Sequence, residues 1–428
     1  MSDEVYKRAD WIAHTNVYEV NIRQYTHEGT FNAFVQSLPR LKDMGVEVIW
    51  VMPVHPIGKI NRKGALGSYY SISDFKGVNP EFGTVADFKN LVKLAHDLEM
   101  KVIIDWVANH AAWDNVWTRD HPEYFVRDEE GNFKAPYDWT DVIQIDHTNA
   151  AEQNAMINAM KYWVTEFDID GFRADLAHLT PLTFWKKART AIELLKPNLF
   201  WLAESEEIDY HEVFDATFTW EWMHTTENYY KGKTGFCSLY DVLAKYYASF
   251  PELAHRLYFT SNHDENTWNG TGFEKYGDML KCLSVFNCTW NGIPLLYSGE
   301  EMPNTKRLQF FEKDTIAWTG EYQFHAFYKT LLTLRKNNPA LLSANEAVTT
   351  FHIITGGGKN IMAYLRKNDV YEVLVFLNLS NEIIGFTIRD QLINNVYINI
   401  FNGTENYLQP DTFIKMQPWD YLVFERKM

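Results

Sequence analysis

Short apolar runs alternate with amphipathic stretches along the first three quarters of the chain. Eight of these runs have the length of buried strands, and they lie at residues 17–24, 46–54, 100–107, 170–175, 199–204, 213–218, 257–262 and 293–298. Apolar positions at intervals of three and four predict helices between them, for example at 85–99, 150–166 and 324–336. This alternation predicts an α/β fold, a closed parallel (β/α)8 TIM barrel.

Two regions depart from the regular spacing. Residues 111–145 form an aromatic stretch after the third strand that is much longer than the few residues of an ordinary loop in such a barrel. From about residue 343, alternating β-branched and aromatic residues separated by turn signals predict antiparallel strands. We therefore predict a catalytic barrel at 1–342, a short inserted domain at 111–145 and a C-terminal β-sandwich domain at 343–428.

The charge of the chain limits its partners. With 40 Lys and Arg against 56 Asp and Glu, the 428 residues carry a formal net charge of -16. This charge repels nucleic acid and anionic lipid, so we expect no nucleic-acid or membrane partner. Aromatic residues make up 16% of the chain, including 15 Trp and 24 Tyr, and their flat faces suit the packing of sugar rings. A neutral substrate is the simplest expectation.

The cysteines and the N-terminus indicate the compartment. Cys237, Cys282 and Cys288 are odd in number and lack metal-ligand spacing, so we expect buried free thiols. Residues 1–8 lack the apolar segment of a signal peptide, and no run approaches the roughly 20 apolar residues of a membrane span. We expect a cytoplasmic protein, or a secreted or periplasmic one if a signal peptide was removed.

Three predicted strands end in an acid. These acids are Asp175, Glu204 and Asp264, and Arg173 shares a strand face with Asp175 because the two are two residues apart. One interpretation is an ordinary ion pair plus two helix caps. The other is a catalytic site, because barrel enzymes place catalytic residues at strand ends on one face.

Cleavage of a glycosidic bond with retention of the anomeric configuration requires two acids. Their carboxyl groups lie about 5 to 5.5 Å apart. The cation of Arg173 is expected to lower the pKa of Asp175, which would keep it ionised as a nucleophile. Glu204, which ends a strand among apolar residues, is expected to hold its proton longer, as a general acid must. Asp264 is then suited to grip ring hydroxyls and to stabilise developing positive charge.

Four ordered segments resemble the α-amylase family of glycoside hydrolases. They are Asp-Trp-Val-Ala-Asn-His at 105–110, Gly-Phe-Arg-Ala-Asp at 171–175, Ala-Glu at 203–204 and Ser-Asn-His-Asp at 261–264. The resemblance implies that Asp175 is the nucleophile and Glu204 the acid/base, with Asp264 as the transition-state stabiliser and Arg173 orienting Asp175.

The resemblance also implies substrate-binding residues. His110 and His263 would hydrogen-bond the sugar in the subsite of the cleaved bond, Tyr70 would stack on its ring, and Asp105 would support the site. The sequence departs from the family at His178, where many α-amylases carry a lysine three residues after the nucleophile. Contacts to the leaving-group sugar, and thus the product profile, should differ accordingly.

A structural calcium is a further family feature. Asn109 matches one calcium ligand, but Gln144 stands where an acidic ligand is common, and calcium prefers carboxylates. We therefore do not expect a tightly held calcium, and no cofactor is required for the chemistry.

The resemblance and the residues together predict a retaining hydrolase of α-1,4-glucosidic bonds in starch, glycogen or maltooligosaccharides. An α-glucan transglycosylase or an α-1,6-active enzyme would keep the same catalytic residues. A non-catalytic homologue, either glycan-binding or ancillary to a transporter, is the alternative from another class. The presence of all three acids argues against it.

Overall fold

A parallel barrel accounts for most strands of the first 300 residues. In the computed structural model, which describes residues 6–428, these strands are β1 (Val17–Val20), β2 (Val48–Val51), β3 (Lys101–Trp106), β4 (His110–Ala112), β5 (Val142–Gln144), β6 (Gly171–Ala174), β7 (Phe200–Ala203), β8 (Ala216–Phe218), β9 (His255–Tyr258) and β10 (Ile293–Tyr297). Eight of them close a barrel in the order β1-β10-β9-β8-β7-β6-β3-β2. The predicted (β/α)8 fold is confirmed.

The barrel strands are apolar because they are buried on both faces. Every residue of β1, β2, β6, β7 and β9 is buried. The strands β3, β6 and β7 are parallel neighbours, so their carboxyl ends meet at one rim.

The observed strands are shorter than the apolar runs that indicated them, as two examples show. The run at 17–24 is strand only to Val20, because the N–H groups of Gln24 and Tyr25 donate to the carbonyl of Asn21 and start a helical turn. The run at 213–218 becomes strand β8 only at Ala216. Apolar residues fit either structure, so the run alone does not set the strand end.

Helices fill the connections. Within the described residues they are α1 (Ile22–Tyr25), α2 (Phe31–Phe34), α3 (Leu38–Met44), α4 (Val85–Asp97), α5 (Val116–Asp120), α6 (Ala150–Phe167), α7 (Leu182–Glu193), α8 (Trp220–Tyr230), α9 (Cys237–Ser249), α10 (Gly272–Tyr276), α11 (Leu280–Thr289) and α12 (His325–Asn337). The three helices predicted from periodicity are α4, α6 and α12. Thr84 and Asp87 form a capping box at the start of α4, which satisfies backbone donors there.

The stretch after β3 contains secondary structure of its own. Strands β4 and β5 pair antiparallel, with His110 opposite Gln144, and α5 lies between them in the chain. An isolated bridge between Phe125 and Ile145 adds to this small sheet. The segment is therefore a structured insertion.

The chain after residue 348 is antiparallel. Its strands are β11 (Thr349–His352), β12 (Thr355–Gly356), β13 (Ile361–Lys367), β14 (Tyr371–Asn378), β15 (Ile384–Ile388), β16 (Asn395–Asn399), β17 (Glu405–Leu408), β18 (Phe413–Met416) and β19 (Tyr421–Lys427). They form a six-stranded sheet, β11-β13-β14-β19-β16-β17, and a three-stranded sheet, β12-β15-β18. An apolar core that includes Leu365, Phe376, Phe386 and Met416 holds them together.

By contacts between residues the chain divides into two compact units. The first holds the described residues through Asp10, Val17–Phe218 and Lys306–Ala317, and the second holds Trp11–Asn16, Thr219–Thr305 and Trp318–Met428. The domain boundaries at 342/343 and 111–145 stay predictions.

The structure bears on two expectations, the burial of the cysteines and the absence of a membrane span. Cys282 and Cys288 are buried, as expected, but Cys237 is exposed because it opens a surface helix. Across residues 6–428, no helix combines the length and the apolar character needed to cross a membrane. Residues 1–5, on which the signal-peptide expectation partly rests, lie outside the described residues.

Candidate active site

Three neighbouring barrel strands deliver the acids of the candidate site. Asp105 on β3 lies in register with Arg173 on β6, and Arg173 lies in register with Leu202 on β7. Asp175 and Glu204 are the first residues after β6 and β7. Parallel pairing thus brings three acids and one cation to the same rim.

A glycine sets the close approach of β6 to β7. Gly171 and Phe200 lie opposite each other, and a Cβ built on Gly171 would lie 2.1 Å from the carbonyl oxygen of Phe200. No side chain fits in that space, so glycine is required at this position.

Arg173 is the centre of the site. Its guanidinium is fully buried, and its Nη1 lies 2.9 Å from Asp105 Oδ1 and 2.9 Å from Asp175 Oδ1. Its Nη2 lies 2.9 Å from Glu204 Oε2, but outside hydrogen-bond geometry. One cation therefore contacts three carboxylates, with its hydrogen bonds going to the two aspartates.

Asp105 is fixed by two further donors. Trp50 Nε1 and the Tyr70 hydroxyl donate to Asp105 Oδ2 over 3.2 Å and 3.1 Å. Trp50 was not predicted as a site residue, because inside an apolar strand its side chain gives no signal distinct from core packing. Phe310 stacks on Tyr70 with ring centroids 6.3 Å apart and fixes the plane of that ring.

The expected direction of the Asp175 pKa is wrong. Burial raises the pKa of Asp175 well above its ordinary value, and the charges of Glu204 and Asp105 raise it further, while Arg173 opposes them. The sequence showed only the adjacent cation. Burial and two more carboxylates outweigh that cation, so the cluster binds a proton more tightly than an isolated aspartic acid does.

The residue after Asp175 has an unusual backbone. Leu176 has φ 39° and ψ 51°, a left-handed conformation that non-glycine residues rarely adopt. In this conformation its N–H donates to Glu204 Oε2 over 2.8 Å. Such strain costs roughly 1–3 kcal/mol and tends to occur at functional sites. Here it orients the Glu204 carboxyl.

The other predicted residues of this unit separate into two groups. His110 is buried on β4, and burial lowers its pKa to about 4, opposed by Asp141 and by a hydrogen bond to the Tyr70 main chain. Its imidazole is thus neutral at pH 7 and linked to Tyr70. His178 is exposed in a short turn, and in the described chain no contact joins it to the Arg173 cluster.

The second unit carries His263 and Asp264, which follow β9. His263 is buried, with Nε2 3.3 Å from Asp264 Oδ2, whereas the Asp264 side chain is 39% exposed. The neighbouring Trp268 is also exposed. Asp264 therefore presents an accessible carboxylate beside a buried imidazole.

Asn109, the candidate calcium ligand, contacts neutral groups. Asn109 Nδ2 lies 3.5 Å from His110 Nδ1, and the Asn109 carbonyl accepts the N–H of Ile145. Gln144 offers a neutral amide, and calcium favours carboxylate oxygens. No group of three or more His, Cys, Asp or Glu side chains suited to a metal occurs within residues 6–428.

Comparisons with known proteins give the family. The sequence matches the family model "Alpha amylase, catalytic domain" over residues 9–144 and 127–319. A crystal structure of a noncanonic maltogenic α-amylase, AmyB from Thermotoga neapolitana, superposes with a TM-score of 0.88 at 31% identity, covering 97% of this chain and 99% of that chain.

Curated relatives are more distant and longer. "Alpha-amylase 2" of Dictyoglomus thermophilum is 25% identical, over 87% of this chain and 68% of its own length. An α-1,4-glucan:maltose-1-phosphate maltosyltransferase of Picrophilus torridus is also 25% identical, over 82% of this chain and 59% of its own length. The family match spans well over half of the sequence, and the barrel and the AmyB superposition agree with it, so the chain belongs to the α-amylase family of glycoside hydrolases.

Proposed function

We propose that this chain is a retaining glycoside hydrolase that cleaves α-1,4-glucosidic bonds in starch, glycogen or maltooligosaccharides. The observation that supports it best is the contact of one buried guanidinium with both Asp175 and Glu204, each at 2.9 Å. Double displacement needs two carboxyl groups held close together, one as nucleophile and one as acid/base.

Asp175 is the nucleophile in this proposal. Its Oδ1 accepts a hydrogen bond from Arg173, which stabilises the ionised form. Its Oδ2 is buried and accepts no hydrogen bond within the described residues. That oxygen has lone pairs available to attack the anomeric carbon, and the bond to the leaving oxygen breaks as the glycosyl–Asp175 ester forms.

Glu204 is the acid/base. Its Oε2 accepts the N–H of Leu176 and lies beside Arg173, which leaves Oε1 to carry the proton. Glu204 needs a proton to act as the acid, and the Arg173 hydrogen bond to Asp175 stabilises the ionised nucleophile beside it. Glu204 donates that proton to the leaving oxygen and later takes one from the water that hydrolyses the ester.

The remaining predicted residues bind the sugar. Asp264, with its accessible carboxylate, would grip ring hydroxyls and stabilise positive charge at the anomeric centre. His110 and His263 would hydrogen-bond the sugar, and the Tyr70 ring would stack on the pyranose. His178, on the surface of the turn after Asp175, would contact the leaving-group sugar.

Transfer is the second candidate function. One relative is named a maltosyltransferase, and the same two carboxylates would serve either hydrolysis or transfer. The acceptor alone distinguishes the two outcomes, so the products of the reaction decide between them.

The test is a chromatographic time course on maltoheptaose with the native protein, Asp175→Ala, and a surface control, Asp369→Ala, at an exposed turn between β13 and β14. We expect shorter oligomers from the native protein and the control but not from Asp175→Ala. Proton NMR of the first products should show the α-anomer. Products longer than seven glucose units would indicate transfer, and full activity in Asp175→Ala would refute the assignment.

A further inference from the structure

The chain directly after Asp264 has an uncommon conformation. Residues Glu265–Asn269 form a π-helical turn, closed by the Gly270 N–H donating to the Glu265 carbonyl over 2.8 Å. Asn262 holds the start of this turn, because its Oδ1 accepts the Glu265 N–H over 2.8 Å. Single π turns are rare and occur often at functional sites. The carboxylate of Asp264 is thus presented by a turn that needs support.

Support comes from a buried ion pair. Glu265 is 2% exposed and Lys275 on α10 is 1% exposed. The ammonium of Lys275 contacts Glu265 Oε2, and Glu265 Oε1 accepts a hydrogen bond from Asn269 over 2.9 Å. The Glu265 side chain therefore bonds both ends of the π turn to α10.

Lys275 has two more neighbours. Its Nζ lies 3.5 Å from Glu227 Oε2 and 2.9 Å from Met223 Sδ, both on α8. The lysine therefore ties the π turn to two helices. Both partners are buried, so removal of the ammonium leaves Glu265 buried with an uncompensated charge.

We propose that Lys275 is a positioning residue for Asp264: its buried pair with Glu265 fixes the π turn that presents the Asp264 carboxylate. The inference rests on the proposed function, which assigns Asp264 to stabilise the transition state. Glu265 is the next residue in the chain, so a shift of the π turn that brings its carboxylate to water would move the backbone that carries Asp264. A stabiliser of the transition state acts mainly on kcat, because its contacts are strongest there. Loss of the pair should therefore lower kcat more than it changes KM.

The test compares Lys275→Met with a matched control, Lys367→Met. Lys367 also pairs with a buried glutamate, Glu372, over 2.8 Å, but in the C-terminal sheet. At a temperature where both variants are folded, Lys275→Met should lose at least about tenfold in kcat on maltoheptaose with KM nearly unchanged. Lys367→Met should keep the native kcat. Lys275→Arg, which can still reach both glutamates as a cation, should recover most of the loss.

A native kcat in Lys275→Met, or an equal loss in Lys367→Met, would overturn the proposal. If Lys275→Met does not fold, the isosteric Glu265→Gln decides: reduced kcat with unchanged KM supports the proposal, and native kcat overturns it. Asp264→Asn separates this inference from the proposed function. If Asp264→Asn keeps the native kcat, the role of Asp264 fails, whereas a dead Asp264→Asn with a fully active Lys275→Met rejects only the positioning role.

Discussion

Arg173 and Lys275 are both buried cations. Each contacts at least one acid that follows a barrel strand, but the ratio of cations to acids differs between the two clusters. Arg173 contacts three carboxylates, and burial together with the neighbouring acids raises the pKa of Asp175. Around Lys275, two lysines meet two acids, because Lys231 also pairs with Glu227.

The balanced cluster shows the opposite effect on an acid. Burial pushes the pKa of Glu227 up, but Lys231 and Lys275 outweigh burial and lower it. An excess of acids over cations retains a proton that chemistry can use, whereas an equal number gives a fixed anchor. The ratio of charges therefore acts together with burial, which is the largest cause of the raised pKa of Asp175.

Glu204→Gln should give the largest effect that tests this comparison, because a glutamine cannot donate a proton to the leaving oxygen. On maltoheptaose we expect kcat to fall on the order of 10³-fold, since general acid catalysis is worth about 10² to 10⁴. On a maltosyl fluoride, whose leaving group needs no proton, the loss should be much smaller. The measurement is kcat on both substrates, with Glu130→Gln at an exposed position as the control. Equal losses on the two substrates would remove Glu204 from the role of acid.

Reciprocal replacement of the two cations sharpens the comparison next. Arg173→Lys keeps the charge but lacks the planar fork whose Nη1 bonds both aspartates. Misplacement of the nucleophile should lower kcat/KM by about 10²-fold. Lys275→Arg should cost less than about threefold, because that site uses a point charge. Steady-state kinetics of both variants test this, and similar losses would show that the two clusters do not differ in kind.

The pH dependence tests the raised pKa of Asp175. As pH falls, Asp175 gains its proton at a higher pH than an ordinary aspartic acid, with a pKa of about 3.9, would. The acid limb of kcat/KM should therefore lie above that value. A limb at or below the ordinary value would show that Arg173 dominates after all.

The raised pKa of Asp175 should also make the folding stability depend on pH, because proton binding and folding are linked. The stability that a raised pKa contributes is fully present below the pKa of the unfolded chain and is lost as pH rises through the folded-state pKa. Asp175→Asn does not titrate, so its stability advantage over the native protein should grow from about pH 4 upward and then level off. Thermal melting of both proteins between pH 4 and 8 measures the difference. A gap that does not change with pH would contradict a shifted Asp175.

The barrel could be predicted from the sequence because a parallel strand that is buried on both faces consists of consecutive apolar residues. It also predicted which acids end strands, since a charge that closes such a run is visible in one dimension. The direction of the Asp175 pKa was missed, because Asp105 and Glu204 are 70 and 29 residues away and only strand pairing brings them near.

Other residues were missed for the same reason. Trp50 donates a hydrogen bond to Asp105 from the neighbouring strand β2, and in the sequence it cannot be distinguished from a core tryptophan. Glu265 gives no signal of its own in the sequence, and its buried partner Lys275 lies in the helix α10. Partners that are brought together by packing leave no local pattern, so only the fold reveals them.

The variant with the smallest expected effect distinguishes the contribution of the Lys275 charge from that of the helix α10. Thr271 caps α10 in a capping box with Glu274, its Oγ1 accepting the Glu274 N–H over 3.3 Å. Thr271→Ala should destabilise the protein by about 1 kcal/mol, the usual cost of a lost cap. The buried Lys275–Glu265 pair would still hold the π turn, so kcat should change by less than about twofold. Thermal melting and kinetics on maltoheptaose measure the two quantities. A drop in kcat as large as that of Lys275→Met would mean that the frame of α10, and not the lysine charge, positions Asp264.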